Sequence, residues 1–214
     1  MVLRACCGTL RPLRRTRCPE FTASAACAPQ SHCLCALIPS LASRTRVVLL
    51  QHPSEVKHAL NTARLAALGL RNAELRVGEV FEDMAQWLQV PGYRTGLLFP
   101  GEDAQVLQGY GADERPWLLV VPDGTWRKAR KLLHLNPLLA ALPRVTLGAV
   151  QPSRYRVRKA PQEGALSTVE AVAQALNALE APLVFDELLR PFDALIEGQI
   201  AAMGQQTYAR NHVR

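Results

Sequence analysis

The 214-residue chain contains no apolar run approaching the ~20 residues that span a bilayer, which argues against a membrane protein. It has no G-x-G-x-x-G after a strand-like segment and no G-x-x-x-x-G-K-[ST], so neither a dinucleotide fold nor a P-loop finds support. No Ser/His/Asp or Cys/His nucleophile signature stands out. His52 and His58, six apart, share a helix face poorly and read as structural histidines. Met1 to Arg17 carries Arg4, Arg11, Arg14, Arg15 and Arg17 with no acidic residue. It also lacks a sustained apolar stretch, so residues 1–17 read as a basic disordered arm rather than a secretory signal. Without a signal the expected compartment is the reducing cytoplasm. The six cysteines then read as thiols or metal ligands rather than disulfides.

What remains is ordinary for a globular protein, with 49% hydrophobic and 20% charged residues, enough for one well-cored domain and a small appendage. The formal charge of +7 and a pI near 9.4 argue for a polyanionic partner, of which nucleic acid is the commonest. Residues 18–40 form a cysteine-containing extension, 41–205 the main domain and 206–214 a tail. Cys18, Cys27, Cys33 and Cys35 fall within eighteen residues, and thiolates so clustered suggest tetrahedral zinc, although no C-x-x-C pair is present among them.

From Thr45 onward the periodicities alternate between strand and helix, the pattern of an α/β fold. Arg46 to Gln51 is an apolar strand, and Ser54 is placed to cap a helix running to about Leu68. Leu75 to Val80, Gly96 to Phe99 and Arg144 to Val150 read as further strands. Thr168 to Leu179 reads as a helix, with Ser167 and Glu170 as a capping box. The segment from Leu183 to Tyr208 is helical by its spacing of apolar residues.

The central element is Trp117 to Leu133. Leu118 to Val121 is an unbroken apolar run suited to a strand covered on both faces, ended by Pro122 and Gly124. A basic helix follows, with Trp126, Ala129, Leu132 and Leu133 on one face. Asp123 thus stands at the carboxyl edge of a strand, where open α/β sheets bind ligands. Residue types alone leave it open whether Asp123 caps the helix or serves a site. The long segment Gln151 to Leu166 places Arg154, Arg156, Arg158 and Lys159 around Tyr155, a mixture suited to RNA phosphates and bases.

Asp123-Gly124-Thr125-Trp126 resembles the D-x-T-W signature of the DTW-domain family, tRNA-uridine aminocarboxypropyltransferases related to the SPOUT RNA methyltransferases. Further stretches are similar to the family's and stand in its order: Gln51-His52-Pro53 through Asn61-Thr62-Ala63-Arg64-Leu65, Leu98-Phe99-Pro100, Ser153 to Arg158, Glu163-Gly164 and Ser167-Thr168-Val169-Glu170. Together they cover about residues 30 to 200, and several co-ordered motifs are far more specific than one.

The resemblance implies a SPOUT-like parallel sheet flanked by helices, with a C-terminal trefoil knot that periodicity could not suggest. It implies transfer of the 3-amino-3-carboxypropyl group of S-adenosylmethionine to N3 of a tRNA uridine, at position 47 by family analogy. Asp123, Thr125 and Trp126 are the implied catalytic residues. Phe99, Pro100, Pro122, Ser153, Tyr155, Gly164, Ser167, Thr168 and Glu170 are the implied donor cradle. Asn61, Arg64, Lys128, Arg130, Arg154, Arg156, Arg158 and Lys159 are expected to face tRNA. The family's C-x-x-C is replaced by Ala23 and Ala26, which leaves zinc to a rearranged or decayed site. A SPOUT-type methyltransferase and a non-catalytic RNA-binding module are the competing readings; neither membrane nor obligate protein partner is expected.

Overall fold

The computed structural model describes residues 33–58, 60–111, 114–157 and 164–212. Six parallel strands form one sheet: β1 (Arg46–Gln51), β2 (Ala73–Val77), β3 (Arg94–Leu98), β4 (Gln105–Val106), β5 (Trp117–Asp123) and β6 (Arg144–Thr146). Their spatial order is β2-β1-β5-β3-β6-β4, so β5 lies between strands that precede it by many residues.

Because β1 and β5 are apolar on both faces, the sheet must be covered twice. On one face Val47, Leu49, Leu119 and Val121 pack against α1 (Thr62–Gly69), α5 (Thr168–Leu179) and α6 (Arg190–Met203). On the other, Val48, Leu50, Leu118 and Val120 meet α2 (Met84–Leu88), α3 (Trp126–Leu135) and α4 (Pro137–Ala140). The chain closes with α7 (Gln205–His212), set off from α6 by Gly204 at φ +85°. Among the described residues no helix is long and apolar enough to cross a membrane.

The α5 helix keeps its expected bounds, and its Ser167–Glu170 capping box is formed. The helix expected from Ser54 does not begin there. Pro53–Glu55 is a single 3-10 turn, in which the His52 side chain accepts from the Ser54 N–H. The α helix starts only at Thr62, because the Asn61 carboxamide accepts from the Arg64 N–H and provides the cap. Val56, which that helix would have carried in its first turn, is exposed. Strand β6 stops at Thr146, four residues short of expectation, and releases the rest into the long connection to α5. Short α2 and α4 carry too few residues for periodicity to register.

Candidate active site at the carboxyl edge of the sheet

The parallel register sets Gln51, the last residue of β1, opposite Asp123, the last residue of β5. Asp123 is 7% exposed and forms the floor of a cleft of about 730 Å³. Its Oδ2 accepts from Gln51 Nε2 at 2.7 Å, and its Oδ1 accepts from the Thr168 hydroxyl at 2.5 Å. Thr168 is the first residue of α5, so a helix from the last third of the chain completes the carboxylate's surroundings. Burial pushes the Asp123 carboxyl above its ordinary value; the bonds from Gln51 and Thr168 oppose that, Glu55 adds to it and His58 opposes it.

Asp123 is not a helix cap. The chain turns at Gly124, whose φ of +146° disfavours any side chain and where a Cβ would lie 3.1 Å from the Lys128 Cβ. Thr125 then caps α3, its hydroxyl accepting from the Lys128 N–H. Ala129, Leu132 and Leu133 are buried as their spacing predicts, but Trp126 is 37% exposed on the cleft wall. It meets Phe99 edge to face with ring centroids 5.6 Å apart.

The cleft gathers Phe99, Pro100, Pro122, Tyr155, Gly164, Ser167 and Thr168 from the expected donor cradle. Ser153 and Glu170 are placed elsewhere. Glu170 is 1% exposed, and its carboxylate receives the Ser153 hydroxyl, the Arg154 N–H and both the N–H and hydroxyl of Ser167. It ties the incoming loop to the start of α5. Sequence reasoning gave no site role to Gln51 or Glu55 and read His58 as structural; Glu55 and His58 line the cleft. An apolar strand ending on glutamine beside a strand ending on aspartate was the available signal for Gln51.

The expected cations separate into groups. Arg154 pairs with Asp193 at 2.9 Å and lies 3.8 Å from Asp186, and Arg156 pairs with Glu197, so these two are drawn onto the acids of α6 and the turn before it. Lys128 bridges to Glu55 at 2.6 Å across the cleft wall. Arg130 is exposed on α3, as is Arg127. Arg64 is half-buried on α1. Asn61 reaches the cleft, with its carboxamide engaged by Gln51 and the helix start. Arg158 and Lys159 lie outside the described residues, as do Cys18, Cys27 and the 1–17 arm. Cys33 and Cys35 are half-buried, and among the described residues no three His, Cys, Asp or Glu side chains group as a metal site. Nothing there supports zinc.

The chain matches the DTW domain over residues 23–200. It is 35% identical over 200 residues to tRNA-uridine aminocarboxypropyltransferase 2 of Drosophila melanogaster, covering 88% of this chain and 77% of that one. It is 31% identical to the protein of the same name from Macaca fascicularis, over 86% of this chain and 65% of the other. With tRNA-uridine aminocarboxypropyltransferase A of Arabidopsis thaliana the identity is 27%, over 71% and 70% of the two chains. No solved structure matches.

Proposed function

This chain belongs to the DTW domain family, and from that membership and the geometry of the cleft we propose that it is a tRNA-uridine aminocarboxypropyltransferase using S-adenosylmethionine. The observation that carries the proposal is the buried Asp123 carboxylate, held by two donors at the floor of a cleft large enough for a small-molecule donor. The cleft fits that donor in kind. Phe99 and Trp126 offer aromatic surface for a nucleoside, and the N-terminus of α5, beside Ser167 and Thr168, favours a carboxylate.

A uridine N3 is protonated at neutral pH and a poor nucleophile, so the reaction needs a base. Asp123 takes the N3 proton. The freed N3 pair attacks the γ-carbon of the methionine chain, the γ-carbon–sulfur bond breaks, and its electron pair returns to sulfur. The products are the N3-alkylated uridine, a neutral thioether and a protonated Asp123. Charge falls at both partners, from carboxylate and from sulfonium, so a desolvated site favours the step. In-line placement of the γ-carbon rather than the methyl decides the product. Thr125 shapes the turn beneath the site. The knotted path that the family resemblance implies belongs to the same proposal.

The target base has to leave its stack to reach the cleft floor. Arg127 and Arg130 are exposed on α3, whose first residue Trp126 lines the cleft, and are free to meet phosphates, and Lys128 can exchange Glu55 for one. Arg127→Ala with Arg130→Ala is expected to weaken tRNA binding and to lower the slope of log affinity against log salt by about 2. Arg154→Ala changes that slope little, because its charge is already met by Asp193. Position 47 of tRNA and the cytoplasm are the target and location that go with this reading.

The deciding experiment supplies tRNA with S-adenosylmethionine labelled either on the methyl or on the carboxyl carbon. Label is expected in tRNA only from the carboxyl. Incorporation from the methyl would make the chain a methyltransferase, and retention of tRNA without incorporation from either would make it a binding module.

A further inference from the structure

Gln51 and Asn61 form a polar chain that ends on Asp123. The Arg64 N–H, in the first turn of α1, donates to Asn61 Oδ1 at 3.0 Å. That oxygen also accepts from Gln51 Nε2 at 2.8 Å, while Asn61 Nδ2 donates back to Gln51 Oε1 at 3.1 Å. The same Gln51 Nε2 donates to Asp123 Oδ2.

We infer that Gln51 and Asn61 are positioning residues, an amide pair anchored on α1 that fixes the orientation of the Asp123 carboxylate and leaves its remaining lone pairs to the cleft. The direction of the chain is forced. A backbone N–H can only donate, so Asn61 must turn its oxygen toward Arg64 and its NH2 toward Gln51. Gln51 must then turn its own NH2 to the carboxylate. Reversing either amide would set two acceptors against each other in a site where Gln51 is 1% exposed. Gln51 and Asp123 are register partners on adjacent strands, so backbone pairing alone brings the amide and the carboxylate together.

The inference rests on Asp123 being the base. The charged groups around it are Glu55 from the 3-10 turn, His58 ahead of α1 and Lys128 from α3, which is held by Glu55. His52 is turned to Glu79, and Glu170 of α5 to Ser153 and Ser167. None of these bonds the Asp123 oxygens; Gln51 and Thr168 do. The donated bond from Gln51 favours the ionised carboxylate against burial.

The test compares single-turnover transfer across about pH 6 to 9 in wild type, Gln51→Leu, Asn61→Ser and Asp123→Asn, each with a thermal melt. Gln51→Leu is expected to lose about ten- to a hundred-fold in rate at the acid end, with the deficit shrinking as pH rises and the carboxylate ionises. Asn61→Ser keeps a side-chain oxygen for the Arg64 N–H, so α1 stays capped, but the shorter side chain does not reach Gln51. Its pH profile is expected to move the same way by less. Profiles for both variants parallel to wild type would overturn the positioning role, and if Leu at 51 prevents folding, Asn61→Ser decides alone. Full transfer by Asp123→Asn would instead remove the base assignment, a different failure read in a different variant.

Discussion

Asp123→Asn is expected to lower aminocarboxypropyl transfer by about 10²–10⁴-fold while leaving the fold as stable as before, or more so. The rate falls because an amide cannot take the N3 proton. Stability moves the other way because burial raises the Asp123 carboxyl above its ordinary value. The folded state therefore holds that proton more tightly than the unfolded state does, and ionisation at higher pH favours unfolding. The destabilisation is absent below the ordinary carboxylate range. It grows as pH climbs to the raised folded value and is complete above it. An asparagine carries no such burden, so melts of the variant and wild type should coincide in acid and diverge toward neutral pH, the variant melting higher. In wild type the rate should rise through the same interval, as the base ionises. A variant that transfers normally, or that melts lower at neutral pH by the same margin as in acid, would contradict this account.

Glu170 should behave in the opposite way. Among the described residues its carboxylate is as deeply buried as any, but it receives four protein donors, against two for Asp123. Glu170→Ala strands those donors and opens the joint between the 151–157 segment and α5. The expected loss is on the order of 3–5 kcal/mol of stability, at the upper end for one substitution. Glu170→Gln should recover little, since its NH2 would face groups that themselves donate. Hydrogen exchange should show faster opening of Ser153 to Arg156 and of the first turn of α5, with weakened donor binding as Thr168 loses its place. Neutralising one buried carboxylate would thus stabilise and neutralising the other unfold, because donor number rather than depth separates them. Equal melting of Glu170→Gln and wild type would refute the clamp.

Much of this was legible in the sequence. The apolar run Leu118 to Val121 announced a central strand, and the Ser167–Glu170 spacing fixed the start of α5, because both signals are local. Asp123 was legible as a site residue through the D-x-T-W motif, but its cap reading survived until the turn at Gly124 placed Thr125 in that role. The helix start at Asn61 was missed because Ser54 after His52 is as good a capping residue by type, and only the tertiary pairing of Asn61 with Gln51 decides between them. Arg154 and Arg156 read as RNA-facing because their partners, Asp193 and Glu197, lie about forty residues away and no local pattern joins them. Trp126 was ambiguous for a related reason. Its helix position suits the core, and only the open cleft beside Phe99 keeps it in reach of a ligand.

The Asp123 carboxylate is held by one residue 72 positions before it and another 45 positions after it. During synthesis, then, the nascent polypeptide exposes its reactive acid long before the threonine that steadies it has left the ribosome. Such long-range closure forms late in folding. An incomplete translation product ending before Thr168 would carry the family's signature tetrapeptide yet no working centre, so a reactive sulfonium metabolite would be safe from it.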